Sequence, residues 1–125
     1  MSKEKKQLRL KLGYSIITDL IERGAKVLDL GCGNGNLLAN LVKEKQVKGL
    51  GIEINQECAI SSIEKGLSVI KEDIDKGLEG FENNSYNWII LNQTLQSTEK
   101  PDYVIDEMLR VGERAIVRSE EHTSE

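Results

Sequence analysis

Histidine and cysteine are scarce in this 125-residue sequence, and their scarcity argues against several kinds of site. The single histidine is His122, near the C-terminus, and the two cysteines, Cys32 and Cys58, form no CxxC pair. This usage favours neither a zinc site nor a disulfide framework, and it fits a reducing cytoplasm. We therefore expect no metal and a cytoplasmic location.

A strong charge bias and long apolar runs are also missing. The 17 basic and 21 acidic residues leave a net charge of -4, which offers no electrostatic case for binding nucleic acid. The apolar runs are far shorter than the roughly 20 residues that a membrane-spanning helix needs, and no secretory signal is visible. We expect one domain that has neither nucleic acid nor membrane as a partner.

The last eight residues, RSEEHTSE, resemble the translation of a common sequencing-library adapter. We therefore expect a single domain of residues 1–117 and a non-native tail of residues 118–125. On this interpretation His122 belongs to no active site, and the natural chain continues beyond Val117. The last predicted strand would then be an open edge, with Ala115, Ile116 and Val117 poorly covered.

Apolar periodicity predicts helices that alternate with strands. Leu8, Leu12, Ile16 and Leu20 recur every four residues, with Ile17 and Ile21 beside them, and predict an amphipathic helix ending near Gly24. Further helices are predicted after Gly35, after the capping residue Asn55, and from Pro101 to Gly112; the second of these should bury Ala59, Ile60 and Ile63. The predicted strands are 27–30, 49–54, 67–70, 88–91 and 114–117. This alternation indicates an α/β, doubly wound, Rossmann-like parallel sheet, truncated after the fifth strand.

The stretch VLDLGCGNGNLL, Val27 to Leu38, predicts a strand, a glycine loop and a helix start. Ligands of doubly wound sheets bind at the carboxyl ends of strands, where this loop lies. A dinucleotide site favours G-x-G-x-x-G, but Asn36 stands where its last glycine would be. Asp29, just before the loop, suits a cation better than a pyrophosphate. The pattern therefore favours S-adenosylmethionine, which carries a sulfonium and an ammonium, over NAD.

Other polar residues follow the predicted strands. Glu53 could accept hydrogen bonds from both ribose hydroxyls in either cofactor class. Asp73 could accept from the adenine amino group, with Ile74 packed on the ring, or be an ordinary loop acid. Asn92 and Gln93 could line the amino-acid end of the cofactor or cap a helix. The candidate cofactor-binding residues are Asp29, Gly31, Gly33, Gly35, Glu53, Ile54, Asp73, Ile74 and Asn92.

The glycine motif followed by GLGIEI resembles class I methyltransferases that depend on S-adenosylmethionine. DIDKGL and NQTLQ make the chain similar, more particularly, to the MetW-type proteins of methionine biosynthesis. The resemblance implies a sheet of order 3-2-1-4-5-7-6 and a cytoplasmic role beside homoserine O-acyltransferase. It also implies cofactor contacts from Asp29, Gly31, Gly33, Gly35, Glu53 and Asp73.

A catalytic base is not evident, because no histidine precedes the tail and no N-P-P-Y motif follows the fourth strand. We therefore name no catalytic residue. The first hypothesis is a cofactor-binding, methyltransferase-like accessory protein that acts with homoserine O-acyltransferase. The alternative is a small-molecule methyltransferase whose acceptor is positioned by a missing C-terminal part. A nicotinamide-dependent enzyme is the weakest hypothesis.

Overall fold

The computed structural model describes residues 7–10, 14–76, 78–92 and 98–118, with side chains from residue 14 onward. Within these residues, six strands form one sheet: β1 Gln7–Leu10, β2 Lys26–Leu30, β3 Lys48–Ile52, β4 Val69–Ile70, β5 Tyr86–Leu91 and β6 Gly112–Arg118. Four helices connect them: α1 Tyr14–Leu20, α2 Asn36–Lys45, α3 Gln56–Glu64 and α4 Pro101–Val111. None of these helices is long and apolar enough to cross a membrane.

The sheet is wound in both directions from its centre. Its order is β1-β6-β5-β2-β3-β4, and every neighbouring pair is parallel. The chain runs outward from β2 through β3 to β4 and then returns to β5 on the other side of β2. The five predicted strands thus follow the expected order 3-2-1-4-5. The doubly wound α/β prediction is confirmed, and the strand order reverses between β2 and β5, where such folds bind ligands.

The N-terminal part of the predicted first helix was wrong. Residues Gln7–Leu10 form β1, and the helix begins only at Tyr14. Of the apolar residues predicted for this helix, Ile17 and Ile21 are fully buried, whereas Ile16 and Leu20 are 49% and 40% exposed, so the predicted four-residue stripe does not form the buried face. Pairing with β6 decides the structure of the first segment, which a four-residue apolar spacing does not reveal. Leu12 lies outside the described residues.

The predicted open edge at the fifth strand was also wrong. β1 pairs with β6 in parallel, from Gln7 opposite Ala115 to Leu10 opposite Arg118. Ala115, Ile116 and Val117 are buried, with at most 2% of their surface exposed. Arg118, which the sequence placed in the tail, is the last residue of β6. The described sheet therefore has six strands rather than the five expected.

Each face of the sheet carries its own apolar core. One core packs Leu28, Ile52 and Ile89 against Met108 of α4. The other packs Val27, Trp88 and Ile90 against α1 and α2. With both faces covered, the carboxyl-terminal edge of the sheet is left for a site.

Helix α3 turns a different face inward from the one predicted. Asn55 caps it as expected, because its side chain accepts a hydrogen bond from Cys58 N. Ala59 is buried, but Ile60 and Ile63 are 46% and 52% exposed, so their predicted burial was wrong. The other buried residue of the helix is Ser62, which contacts the glycine loop. A small polar residue packs there because the glycine loop leaves little space above it.

Candidate cofactor site

The glycine loop between β2 and α2 depends on its glycines for its backbone conformation. Gly31, Gly33 and Gly35 have φ angles of 70°, 61° and 87°, in the left-handed region that strains residues carrying a β-carbon. The Gly31 amide donates to the Ile52 carbonyl over 2.7 Å, which holds the loop against the end of β3. The loop thus lies at the switch point of the sheet.

Gly33 and Gly35 have different surroundings. A β-carbon added at Gly33 would meet nothing within 4 Å, so this position leaves room for a ligand near the backbone. One added at Gly35 would lie 2.6 Å from Leu67 Cδ1 and 2.8 Å from Ser62 Oγ. Gly35 is therefore required for close packing against α3 and the segment after it, as well as for its φ angle.

Glu53 joins the loop to the start of α3. Its Oε1 accepts a hydrogen bond of 2.7 Å from the Gly33 amide, and its Oε2 accepts one of 3.0 Å from the Asn55 amide. The side chain is 8% exposed. Each carboxylate oxygen can accept more than one hydrogen bond, so Glu53 could still accept hydrogen bonds from hydroxyl groups of a ligand.

Asp29 is a buried acid without a hydrogen-bond partner. It is 0% exposed, and neither carboxylate oxygen has a partner among the described residues. Burial raises the pKa of Asp29 to about 8, and the Glu53 carboxylate adds to this, while the Asn92 side chain and Arg118 lower the pKa in part. A buried unpartnered carboxyl group is costly. A cationic ligand group would satisfy it, whereas a pyrophosphate would not.

Cys32 lies in the loop but is not suited to nucleophilic chemistry. Burial, followed by the nearby Asp29 carboxylate, raises the pKa of the Cys32 thiol to about 12. Since the thiolate is the reactive form, this thiol is inert near neutral pH. Its role in the loop is packing.

A cavity of about 220 Å³ lies beside the loop, at the ends of β3 and β4. It brings together four predicted residues, Gly31, Ile54, Asp73 and Ile74, with Ile52, Asp75, Thr98 and Glu99. Ile54 is 60% exposed, whereas Ile74 and Ile52 are 7% and 0% exposed, so the cavity has one outer and two inner apolar residues. Asp73 Oδ1 accepts from the Asp75 amide over 2.9 Å, as a loop-forming acid does.

Asp75 is a residue that the sequence analysis missed. Its two carboxylate oxygens accept hydrogen bonds from the Glu99 and Lys100 amides, at 3.1 and 3.2 Å. These bonds attach the turn after β4 to the start of α4 and close one side of the cavity. The sequence contained a signal for this contact, because α4 begins at Pro101 and the preceding Lys100 provides no side-chain cap. The unpaired amide groups at the start of α4 therefore needed an acceptor from elsewhere in the chain.

Asn92 lies at the end of β5, the strand next to Asp29. Its backbone amide donates to the Leu30 carbonyl over 2.9 Å, and its Oδ1 accepts from Arg118 Nη1 over 3.0 Å. The structure thus places Asn92 beside Asp29, at the other end of the site from Asp73. Gln93 lies outside the described residues.

Comparison with known proteins identifies the family. A sequence profile described as "Methionine biosynthesis protein MetW" matches residues 11–122. A relative from Rhodopirellula baltica, the "Bifunctional methionine biosynthesis protein MetXA/MetW", is 36% identical over 118 residues. The aligned part covers 88% of this chain but only 19% of that relative.

Solved structures of other proteins share the fold described above. A TehB-like SAM-dependent methyltransferase from Corynebacterium glutamicum superposes with a TM-score of 0.71 at 18% identity, over 83% of this chain and 59% of that protein. A methyltransferase from Methanococcus maripaludis, described there as putative and S-adenosyl-L-methionine-dependent, superposes with a TM-score of 0.72 at 14% identity, over 85% and 55% of the two chains. At these identities the likeness shows the Rossmann-like methyltransferase fold alone. With the profile match over most of its length, the chain belongs to the MetW family of methionine biosynthesis proteins.

Proposed function

We propose that this protein binds S-adenosylmethionine and acts as a methyltransferase-like accessory protein in methionine biosynthesis. The observation that carries the proposal is the fully buried, unpartnered carboxyl group of Asp29 beside the glycine loop. S-adenosylmethionine offers an ammonium and a sulfonium at such a position, whereas NAD offers a pyrophosphate. The helix N-terminus after the loop could hold a pyrophosphate, but Asp29 offers a pyrophosphate no counter-charge in either protonation state.

Different residues of the site would bind different parts of the proposed cofactor. Asp29 and Asn92 would hold the amino-acid end, and Glu53 the ribose hydroxyls. Asp73, together with Ile54 and Ile74, would enclose the adenine in the cavity beside the loop. When bound, S-adenosylmethionine supplies an activated methyl group, which transfer chemistry or ligand sensing can both use.

We further propose that the protein acts together with homoserine O-acyltransferase. The support is the relative in which MetXA and MetW are parts of one polypeptide. The thiol of Cys32, beside the proposed cofactor site, is held protonated, and the single histidine of the sequence is His122. Such a site suits regulation better than acid–base catalysis. Both cysteines are free, which agrees with a reducing cytoplasm.

A small-molecule methyltransferase remains the second candidate function. It is favoured by the solved structures of similar fold, which are described as methyltransferases. Positioning of an acceptor against the sulfonium can by itself supply much of the rate, so some methyl transfers proceed without a base. The two functions share the cofactor site and differ in whether a methyl acceptor is consumed.

Calorimetry tests the binding proposal directly. The protein should bind S-adenosylmethionine and S-adenosylhomocysteine, and Asp29→Asn should weaken both because it removes the counter-charge of the ammonium. Asp19→Asn is the matched control, since Asp19 is an exposed acid on α1. Binding of NAD, with none of S-adenosylmethionine, would overturn the proposal.

The partner proposal needs a separate experiment. The protein should co-purify with homoserine O-acyltransferase and change its activity, and this change should vary with the S-adenosylmethionine concentration. Such regulation requires the cofactor to bind the free and the partnered protein with different affinities. If the two proteins do not interact, and this protein methylates a small acceptor alone, the second function replaces the first.

A further inference from the structure

Helix α3 contacts the glycine loop through the side chain of Ser62. We infer that Ser62, on the buried face of α3, is a positioning residue that fixes the Gly33 peptide for cofactor binding. This inference rests on the proposed function, because it concerns the same site. Ser62 is not among the residues that the sequence indicated, since one serine in a helix carries no signal by itself.

Both backbone polar groups of Gly33 are held by side chains from outside the loop. Ser62 Oγ donates a hydrogen bond of 2.8 Å to the Gly33 carbonyl, and the Gly33 amide donates one of 2.7 Å to Glu53 Oε1. Ser62 is 0% exposed, so the donor side of this bond is shielded from water. A glycine has wide conformational freedom, and two bonds of this kind restrict it to one orientation.

The Ser62 hydroxyl also lies where the loop packs most tightly. Its Oγ is 3.9 Å from Cys32 Sγ, and it would be 2.8 Å from a β-carbon at Gly35. Lys65, which directly follows the last residue of α3, donates from Nζ to the Asn34 carbonyl over 2.8 Å. Two successive carbonyls of the loop are therefore bound, one by a buried residue of α3 and one by the exposed residue that follows it.

The consequence for the cofactor passes through Glu53. The same carboxylate that accepts from Gly33 is the proposed acceptor for the ribose hydroxyls. If Ser62 loses its hydroxyl, the partly buried Gly33 carbonyl keeps only a weak contact of 3.7 Å from Cys32 Sγ, and the peptide gains freedom to turn. Glu53 would then lose a fixed donor, and its orientation toward the ribose would be less restricted. Ser62 thus acts on the cofactor through two other residues and does not need to touch it.

The series Ser62→Ala and Ser62→Cys tests the inference. We expect S-adenosylmethionine affinity to fall about tenfold in Ser62→Ala and by less in Ser62→Cys, because a thiol of similar size is a weaker donor. The control is Ala59→Gly, which weakens α3 by a loss of helix propensity at a buried position whose side chain has no polar group to bond the loop. Ala59→Gly should lower the unfolding midpoint and leave the affinity almost unchanged.

Amide hydrogen exchange provides a readout that a purely structural role would not change. In Ser62→Ala the Gly33 amide should exchange faster relative to the amides of α3, whereas in Ala59→Gly the amides of α3 should be the ones to accelerate. If the wild-type protein binds S-adenosylmethionine and Ser62→Ala binds it equally well, the inference is wrong while the proposed function stands. If the wild-type protein binds none, the proposed function fails and the inference fails with it.

Discussion

The Gly33 amide donates a 2.7 Å hydrogen bond to Glu53 Oε1, which connects the loop after β2 to the end of β3. Because Glu53 Oε2 accepts from the Asn55 amide, one carboxylate orders both the glycine loop and the start of α3. Glu53→Ala should therefore reduce both stability and cofactor affinity. Loss of hydrogen bonds to a charged acceptor is worth about 1.5–3 kcal/mol, or roughly ten- to a hundredfold in affinity.

Calorimetry and thermal unfolding of Glu53→Ala and Glu53→Gln measure these two effects. The glutamine variant keeps one acceptor oxygen, so it should lie between wild type and alanine. Glu57→Gln, at an exposed acid in the first turn of α3, is the matched control. Undiminished affinity in Glu53→Ala would show that Glu53 does not face the cofactor.

Asp29 should make the free protein less stable as pH rises. Burial raises the pKa of Asp29 from 3.8 to about 8, so between these values the folded state holds a proton that the unfolded state has released. The stability that this group contributes is complete below pH 3.8 and is lost as pH rises through about 8. Asp29→Asn should therefore exceed wild type in stability at pH 9, by more than at pH 6. Denaturant unfolding at both values checks this, and a difference that is independent of pH would contradict it.

Cofactor binding should release a proton near neutral pH. The free protein holds Asp29 protonated because the pKa of Asp29 is raised to about 8, whereas an ammonium ligand favours the ionised form. The groups that influence Asp29 are Glu53, Asn92 and Arg118, and the described structure gives it no hydrogen bond. Affinity for S-adenosylmethionine should rise between pH 6 and pH 8. Calorimetry in two buffers of different ionisation enthalpy counts the proton, and equal heats in both would refute the linkage.

Asp75 should stabilise the protein as a cap supplied from a distant segment. Asp75→Ala removes the acceptor for the Glu99 and Lys100 amides and should cost about 1 kcal/mol, as loss of a helix cap does. Because this contact closes one side of the cavity, cofactor affinity should also decline. Glu72→Ala, at an exposed acid of the same loop, provides the comparison. Chemical denaturation should show that Asp75→Ala is less stable than Glu72→Ala. Equal stabilities of the two variants would show that Asp75 does not act as a cap.

Burial, rather than residue type, should decide the cost of removing isoleucine side chains. Ile52 is 0% exposed within the sheet, whereas Ile63 is 52% exposed on α3. Ile52→Ala should cost about 2–5 kcal/mol because it leaves a cavity, and Ile63→Ala should cost under about 1 kcal/mol. Comparable losses in urea unfolding would mean that Ile63 is covered in solution, for instance by a second protein.

The features that the sequence determined by itself are those that depend on neighbouring residues. Positive φ angles in the loop require the glycines, Asn55 caps the helix that directly follows it, and Pro101 begins a helix where its missing amide costs nothing. The apolar strands and their alternation with helices were sufficient to predict the doubly wound sheet. The family was recognisable from short motifs for the same reason, because the loop that forms the site is continuous in the chain.

Tertiary structure alone decided the features that join distant segments. Gln7 pairs with Ala115, and this pairing converts a segment with helical periodicity into the edge strand β1. The face of α3 that turns inward is chosen by the glycine loop above it, so Ser62 is buried and Ile63 is not. The same holds for Asp29, because its lack of partners follows from what the neighbouring strands place around it. Local spacing carries no information on such contacts, since their geometry exists only once the sheet has assembled.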